Sequence, residues 1–214
     1  MIKLLISDLD DTLYDWTGFF VPAFYAMADE IARMTGIDEK KLLNEYMAAH
    51  QRLGSVEYPY ATLELPSIKA YYNNAPAEEM KAALRPAFNV FNSVRESHLH
   101  LLPGVEEMLR ALTEMGVTLI AYTESSKENG FYRLMKLGIE PYFKHVYTLE
   151  SQFKSAYAFG EKVRTVQTKK PDVAVIERIC AGEGYDKSEV MYLGDNLTKD
   201  MYMAKMAGVT AVWM

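Results

Sequence analysis

Apolar and polar positions fall in blocks whose rhythm changes twice along the chain. At the start, "IKLLIS" is a short apolar run stopped by the acids of "DLDD", which predicts a strand buried on both faces. A strand–helix rhythm returns after residue 100. Val105, Met108, Leu109 and Leu112 recur at helical spacing behind the Pro103-Gly104 turn, and Gly116 closes that helix. "VTLIAYT" (117–123) then has the β-branched and aromatic content of a strand. "KENGFYRLMKLGI" predicts a helix, "KHVYTLE" a strand, "DVAVIERICAGEG" a helix and "EVMYLGD" a strand; "TKDMYMAKMAG" predicts a further helix and "VTAVWM" a last strand. Strand alternating with helix predicts an α/β fold, a Rossmann-like parallel sheet with helices on both faces. Sites on such sheets lie beyond the carboxyl ends of the strands. Asp8, Thr123 and Asp195 each stand at such an end.

Between these two regions the alternation stops. "FFVPAFYAMADEIARMTG", "EKKLLNEYMAAHQRLG" and "PAEEMKAALRPAFNVFNSVRESH" each carry a helical apolar stripe, with no strand pattern between them. The expected organisation is an α/β core made of residues 1–14 and 101–214, interrupted by a small α-helical cap domain over 15–100. Because the interruption follows the first acidic cluster directly, the cap is expected to act as a lid over it. The stretch 150–170 is expected to be a long surface loop packed on the core, and the cap tyrosines of "EYPYATLELPSIKAYYNN" to pack between helices.

Charge and cysteine content narrow the function classes. The formal net charge is −6 and no Lys/Arg stripe is present, which argues against nucleic acid or an anionic membrane as partner. Cys180 is the only cysteine, so neither an intrachain disulfide nor a multi-cysteine metal site can form; its apolar helical neighbours predict a core position. His98 and His100 are expected on the surface. No apolar run approaches about 18 residues, and the opening run is too short for a signal peptide, so a cytoplasmic location is expected.

The candidate chemistry lies in "ISDLDDTLYDW", where Asp8, Asp10 and Asp11 crowd the end of the first strand. Clustered carboxylates at a buried strand end repel one another and are costly to desolvate. A hard cation such as Mg²⁺, which takes oxygen ligands, would offset that cost if Asp195 converges on Asp8. Asp8 and Asp10, two residues apart in an extended segment, point the same way, so one can act as nucleophile and the other as proton donor and acceptor. Alone, such a DxD is as readily a turn or a helix cap.

"DLDDTL" (8–13) resembles the first motif, DxDxT, of the haloacid dehalogenase superfamily, and three further motifs follow in order. "LIAYTES" is similar to the second, with Thr123; "TKKPDVAVIERI" to the third, with Lys170; and "VMYLGDNLTKDMYMAKMAGV" to the fourth, GDxxxxD, with Asp195 and Asp200. The resemblance implies that Asp8 attacks phosphorus and becomes an aspartyl phosphate, while Asp10 protonates the leaving oxygen and later activates water. It implies that Thr123 and Lys170 bind phosphoryl oxygens. Mg²⁺ would be held by the Asp8 and Asp195 side chains and the Asp10 carbonyl, with Asp200 behind them and Thr12 tying down the loop.

Dehalogenases of this superfamily resemble DxY where this chain has DxD, which points to phosphoryl chemistry. The expected function is a Mg²⁺-dependent phosphatase acting on a small phosphorylated metabolite. A phosphomutase of the same superfamily and a non-catalytic phosphate-binding regulatory module are the alternatives. The sequence leaves the oligomeric state open. Glu124 stands where members of the superfamily commonly have Asn, Asp or Gly after the motif-two Thr, and it is expected either to turn outward or to bind a substrate amine or hydroxyl.

Overall fold

The computed structural model describes residues 1–58, 60–150 and 159–214. After β1 (Leu4–Ser7) the described residues form α1 (Trp16–Thr35), α2 (Glu39–Leu53), α3 (Pro66–Tyr71), α4 (Ala77–Ala83) and α5 (Arg85–His98). Then come α6 (Val105–Glu114), β2 (Thr118–Ser126), α7 (Lys127–Lys136), β3 (His145–Leu149), β4 (Val163–Val166), α8 (Val173–Glu183), β5 (Val190–Gly194), α9 (Tyr202–Ala207) and β6 (Thr210–Trp213). The strands make one sheet in the order β4-β3-β2-β1-β5-β6, every neighbouring pair parallel. The fold is therefore the Rossmann-like α/β arrangement that the alternation predicts. No helix among the described residues is long and apolar enough to cross a membrane.

Topology sets where the site can be. The chain goes from β1 outward through β2, β3 and β4, then returns to lay β5 on the other side of β1. A crevice opens at such a reversal, beyond the carboxyl ends of the two strands that part there. Ser7 ends β1 level with Leu193 of β5 and Ala121 of β2, so Asp8, Asp195 and Thr123 follow at nearly one height. Leu4 and Ile6 of this central strand are wholly buried. On one face they join Tyr122, Tyr192, Val175, Ile176, Ile179 and Met203 in a core that also contains Cys180, as its neighbours predict.

The chain divides into two compact units, Met1–Trp16 with Leu99–Met214, and Thr17–His98. The second has its own core of Ile31, Leu42, Tyr46, Leu65, Ile68 and Leu84, against which Tyr58 and Tyr72 also pack. The buried Tyr46 hydroxyl is satisfied by Thr62 Oγ1 at 2.5 Å. His98 and His100 are exposed.

Three local expectations are corrected. The third helical segment of the insertion is two helices: Pro86 has no N–H to donate to a continuing helix and is taken up in the first turn of a new one, α5. The stretch read as a surface loop contributes β4 to the sheet edge, paired from Val146↔Val163 to Leu149↔Val166; residues 151–158 of that stretch lie outside the described residues. The helix expected over "TKDMYMAKMAG" opens as a π-helical turn, Leu197–Met201, before α9 begins. Such a widened turn swings a side chain away from ordinary helical register and recurs at functional sites.

Candidate active site

The loop after β1 is rigid by construction. The Asp8 N–H donates to the Leu193 carbonyl at 2.8 Å, carrying the β1–β5 pairing one residue beyond the strand. The chain then folds back: Thr12 N and Leu13 N donate to the Leu9 carbonyl, and Asp11 N donates to the Tyr14 carbonyl. Asp11 takes a left-handed conformation, φ 55°, which aspartate tolerates better than most side chains. Leu9, Leu13 and Tyr14 are fully buried and anchor the turn from beneath.

Lys170, which leads into α8, reaches Asp8. Its Nζ lies 2.6 Å from Asp8 Oδ1 and 2.9 Å from Asp200 Oδ1, and sits over the Tyr122 and Tyr192 rings. Burial works against the Lys170 charge, but Asp8, Tyr192 and Asp200 outweigh it and hold the ammonium well above its usual range. For Asp8 the balance runs the other way. Burial, reinforced by Asp200 and Asp10 and opposed by Lys170, pushes its carboxyl up to about 7. Burial and the nearby Asp200 also raise Asp195.

Asp200 is oriented on both oxygens. Oδ1 accepts from Lys170 and from the Tyr192 hydroxyl at 2.9 Å, and Oδ2 accepts from Asn196 N at 3.2 Å. Room for it depends on Gly194, since a Cβ there would lie 2.6 Å from Asp200 Cβ and Cγ. Asp8, Asp195 and Asp200 each bring a carboxylate oxygen within 4.8 Å of the others. When all are ionised, three carboxylates face one ammonium, an excess of two negative charges. An all-oxygen donor set with that excess fits a hard dication.

Asp10 belongs to a second cluster. Its Oδ1 accepts from the Tyr14 hydroxyl at 2.7 Å and from Arg133 Nη1 at 2.9 Å; its Oδ2 accepts from Ser125 Oγ at 2.8 Å and Thr123 Oγ1 at 3.3 Å. Thr123 is thus inside β2 and its hydroxyl engages Asp10. Thr12 Oγ1 reaches Asp195 Oδ1 at 3.5 Å, and the Trp213 indole N–H donates to the Asp195 carbonyl at 2.7 Å. Glu124 forms an ion pair with Lys199 of the π-helical turn.

The sequence reading singled out Asp8, Asp10, Asp195, Asp200, Lys170, Thr12 and Thr123, all of which lie at this one edge. It passed over Tyr14, Ser125, Arg133, Tyr192 and Gly194. A signal for Arg133 was present: with Gly130 and Leu134 it occupies the buried stripe of α7, where a charge requires an acidic partner.

Residues 5–214 match the model of the family described as haloacid dehalogenase-like hydrolase. The chain is 26% identical over 224 residues to the glyceraldehyde 3-phosphate phosphatase of Pyrococcus abyssi, covering 100% of this chain and 81% of that protein. It is 24% identical over 238 residues to the phosphoserine phosphatase of Thermus thermophilus, covering 100% and 88%. Among solved structures, a 2-haloacid dehalogenase from Pseudomonas syringae superposes with a TM-score of 0.66 at 25% identity, covering 100% of this chain and 86% of that one.

Two predictions follow from the packing and charge of this edge. Gly194→Ala should destabilise the protein by about 1–3 kcal/mol through overpacking against Asp200. Gly182→Ala, in α8 with open space around its Cβ, should be neutral or stabilising by up to about 1 kcal/mol; denaturant midpoints measure both. The second prediction is a pH dependence. Folding raises the Asp8 carboxyl from 3.8 to about 7, so between those values the folded state holds more protons than the unfolded one. The stability contributed by this group is complete below pH 3.8 and is lost as pH rises through 7. Melting of the EDTA-treated protein from pH 4 to 8 should therefore show a decline that Asp8→Asn makes shallower, and parallel curves would contradict the assignment.

Proposed function

Because the chain belongs to the haloacid dehalogenase-like hydrolase family, we propose that it is a Mg²⁺-dependent phosphatase that hydrolyses a small phosphomonoester through an aspartyl phosphate on Asp8. The observation that carries this reading is the pairing of buried Asp8 with Lys170 while a second carboxylate, Asp10, stands two residues away on separate donors. Two carboxylates in different surroundings can divide nucleophilic and proton-transfer work. The phosphatase names of the two curated relatives support phosphoryl chemistry, and the Asp10 carboxylate sets this chain apart from a dehalogenase pattern.

In this mechanism Asp8 Oδ attacks the phosphorus and the bond to the leaving oxygen breaks. Lys170 neutralises charge on the attacking carboxylate and on the phosphoryl oxygens. Asp10, ionised among its four donors in the free protein, takes up a proton in place of one of them as substrate binds. It gives that proton to the leaving oxygen, then takes one from the water that hydrolyses the aspartyl phosphate. The Thr123 hydroxyl, which donates to Asp10 Oδ2 in the free protein, would turn its proton to a phosphoryl oxygen when substrate is bound. The Asp8 and Asp195 carboxylates with the Asp10 carbonyl would hold Mg²⁺, and Asp200, fixed by Lys170, Tyr192 and the Asn196 N–H, would stand behind them. The ion would supply positive charge that draws the phosphate dianion toward a carboxylate-lined edge.

The substrate is proposed to be a small phosphorylated metabolite met in the cytoplasm.

A generic aryl phosphate tests the proposal. Hydrolysis should disappear in EDTA, return with Mg²⁺, and fall by about four orders of magnitude or more in Asp8→Asn, as loss of a nucleophile requires. Undiminished turnover in EDTA would remove the metal from the mechanism. Near wild-type turnover by Asp8→Asn would remove the nucleophile.

A further inference from the structure

Arg133 is 3% exposed, and a guanidinium is buried at considerable cost unless it is paired. Its Nη1 donates to Asp10 Oδ1 at 2.9 Å and to Ser125 Oγ at 3.0 Å, and Ser125 in turn donates to Asp10 Oδ2. A hydroxyl can accept and donate at once, so the three groups close a ring. Tyr14, fully buried, completes the set at Oδ1; burial and the Asp10 charge hold its hydroxyl protonated and hence a donor.

The fold is built to bring Arg133 there. Thr123 and Ser125 are two residues apart in β2 and face the same way, so both hydroxyls reach one Asp10 oxygen. Gly130 lets α7 pack against that strand: a Cβ there would come within 3.3 Å of Thr123 Cγ2 and 3.8 Å of Thr148 Cγ2. Arg133 lies on the same buried stripe of α7, one turn further on.

We infer that Arg133, acting with Ser125, is the positioning residue for Asp10, fixing its carboxyl where it exchanges a proton with the leaving oxygen. This rests on the phosphatase reading above. Arg133 touches neither phosphate nor leaving group in this role. Its loss therefore acts on the two steps that need Asp10 to be in place; kcat/KM reports the first of them, up to departure of the leaving group, so there the cost depends on how much the leaving group needs a proton.

The test compares kcat/KM for acetyl phosphate, whose acetate departs without a proton, with that for the fastest alkyl phosphomonoester in a panel of small phosphorylated metabolites. Arg133→Ala should lower the alkyl value by about 10- to 100-fold and the acetyl phosphate value by less than about 3-fold. Arg133→Lys should recover part of the alkyl loss. Adding Arg133→Ala to Asp10→Asn should cost nothing further on the alkyl substrate, the signature of one group acting through another. If Arg133→Ala does not fold, Ser125→Ala, which breaks the same ring, must show the same split. Equal losses on both substrates, no loss on either, or additive losses in the double variant would overturn the inference and leave the phosphatase reading standing. A wild type inactive on both substrates, or an active Asp8→Asn, would overturn that reading and the inference with it.

Discussion

The Lys170 ammonium, with 2% of its side chain exposed, is shared between Asp8 at 2.6 Å and Asp200 at 2.9 Å. Much of the sheet edge exists to make that arrangement tolerable. Two buried acids, a half-buried third and one base cannot be brought together cheaply, because desolvation outweighs attraction unless every lone pair is engaged. Tyr192 and the Asn196 N–H take up the remaining demand of Asp200, and the Tyr122 and Tyr192 rings cradle the ammonium. The π-helical turn carries Asp200 back toward β5, and Gly194 leaves the space it enters. Asp8 is left raised toward neutrality, and the surplus of two negative charges reached when it ionises is what a dication would balance.

The two acids of the DxD stretch consequently live in different surroundings. Asp8 faces an ammonium and other carboxylates, whereas Asp10 faces a guanidinium and three hydroxyls. That separation comes from strand geometry. β1 and β5 deliver Asp8 and Asp195 side by side, while β2, α7 and, through Tyr14, the loop after β1 deliver the donors around Asp10. The proposed division of roles between the two carboxyls rests on these different neighbours.

Much of this was legible in the sequence, for physical reasons. Short apolar runs ending in acids can be little other than buried strands, so β1 and β5 and the acids after them were visible at once. β4 was not, because "VRTV" alternates at an exposed edge and carries no apolar run; its burial pattern leaves only Val166 fully covered. The break between α4 and α5 was written in Pro86 but concealed by a continuous apolar stripe. Asp10's partners were hardest to see. Tyr14 stands only four residues from Asp10, but Ser125 and Arg133 reach it only after the chain has closed, across 115 and 123 residues. Glu124 had two open roles in the sequence, and the Lys199 ion pair accounts for its charge.

The most direct test of the account is to identify the group that receives the phosphoryl from substrate. Wild-type protein with Mg²⁺ and acetyl phosphate would be quenched in acid within the first turnover, digested, and mapped by mass spectrometry. The account predicts a phosphoryl group on the Asp8 carboxylate and on no other residue. Phosphorylation elsewhere, or product formed at those times with the enzyme unphosphorylated, would contradict it.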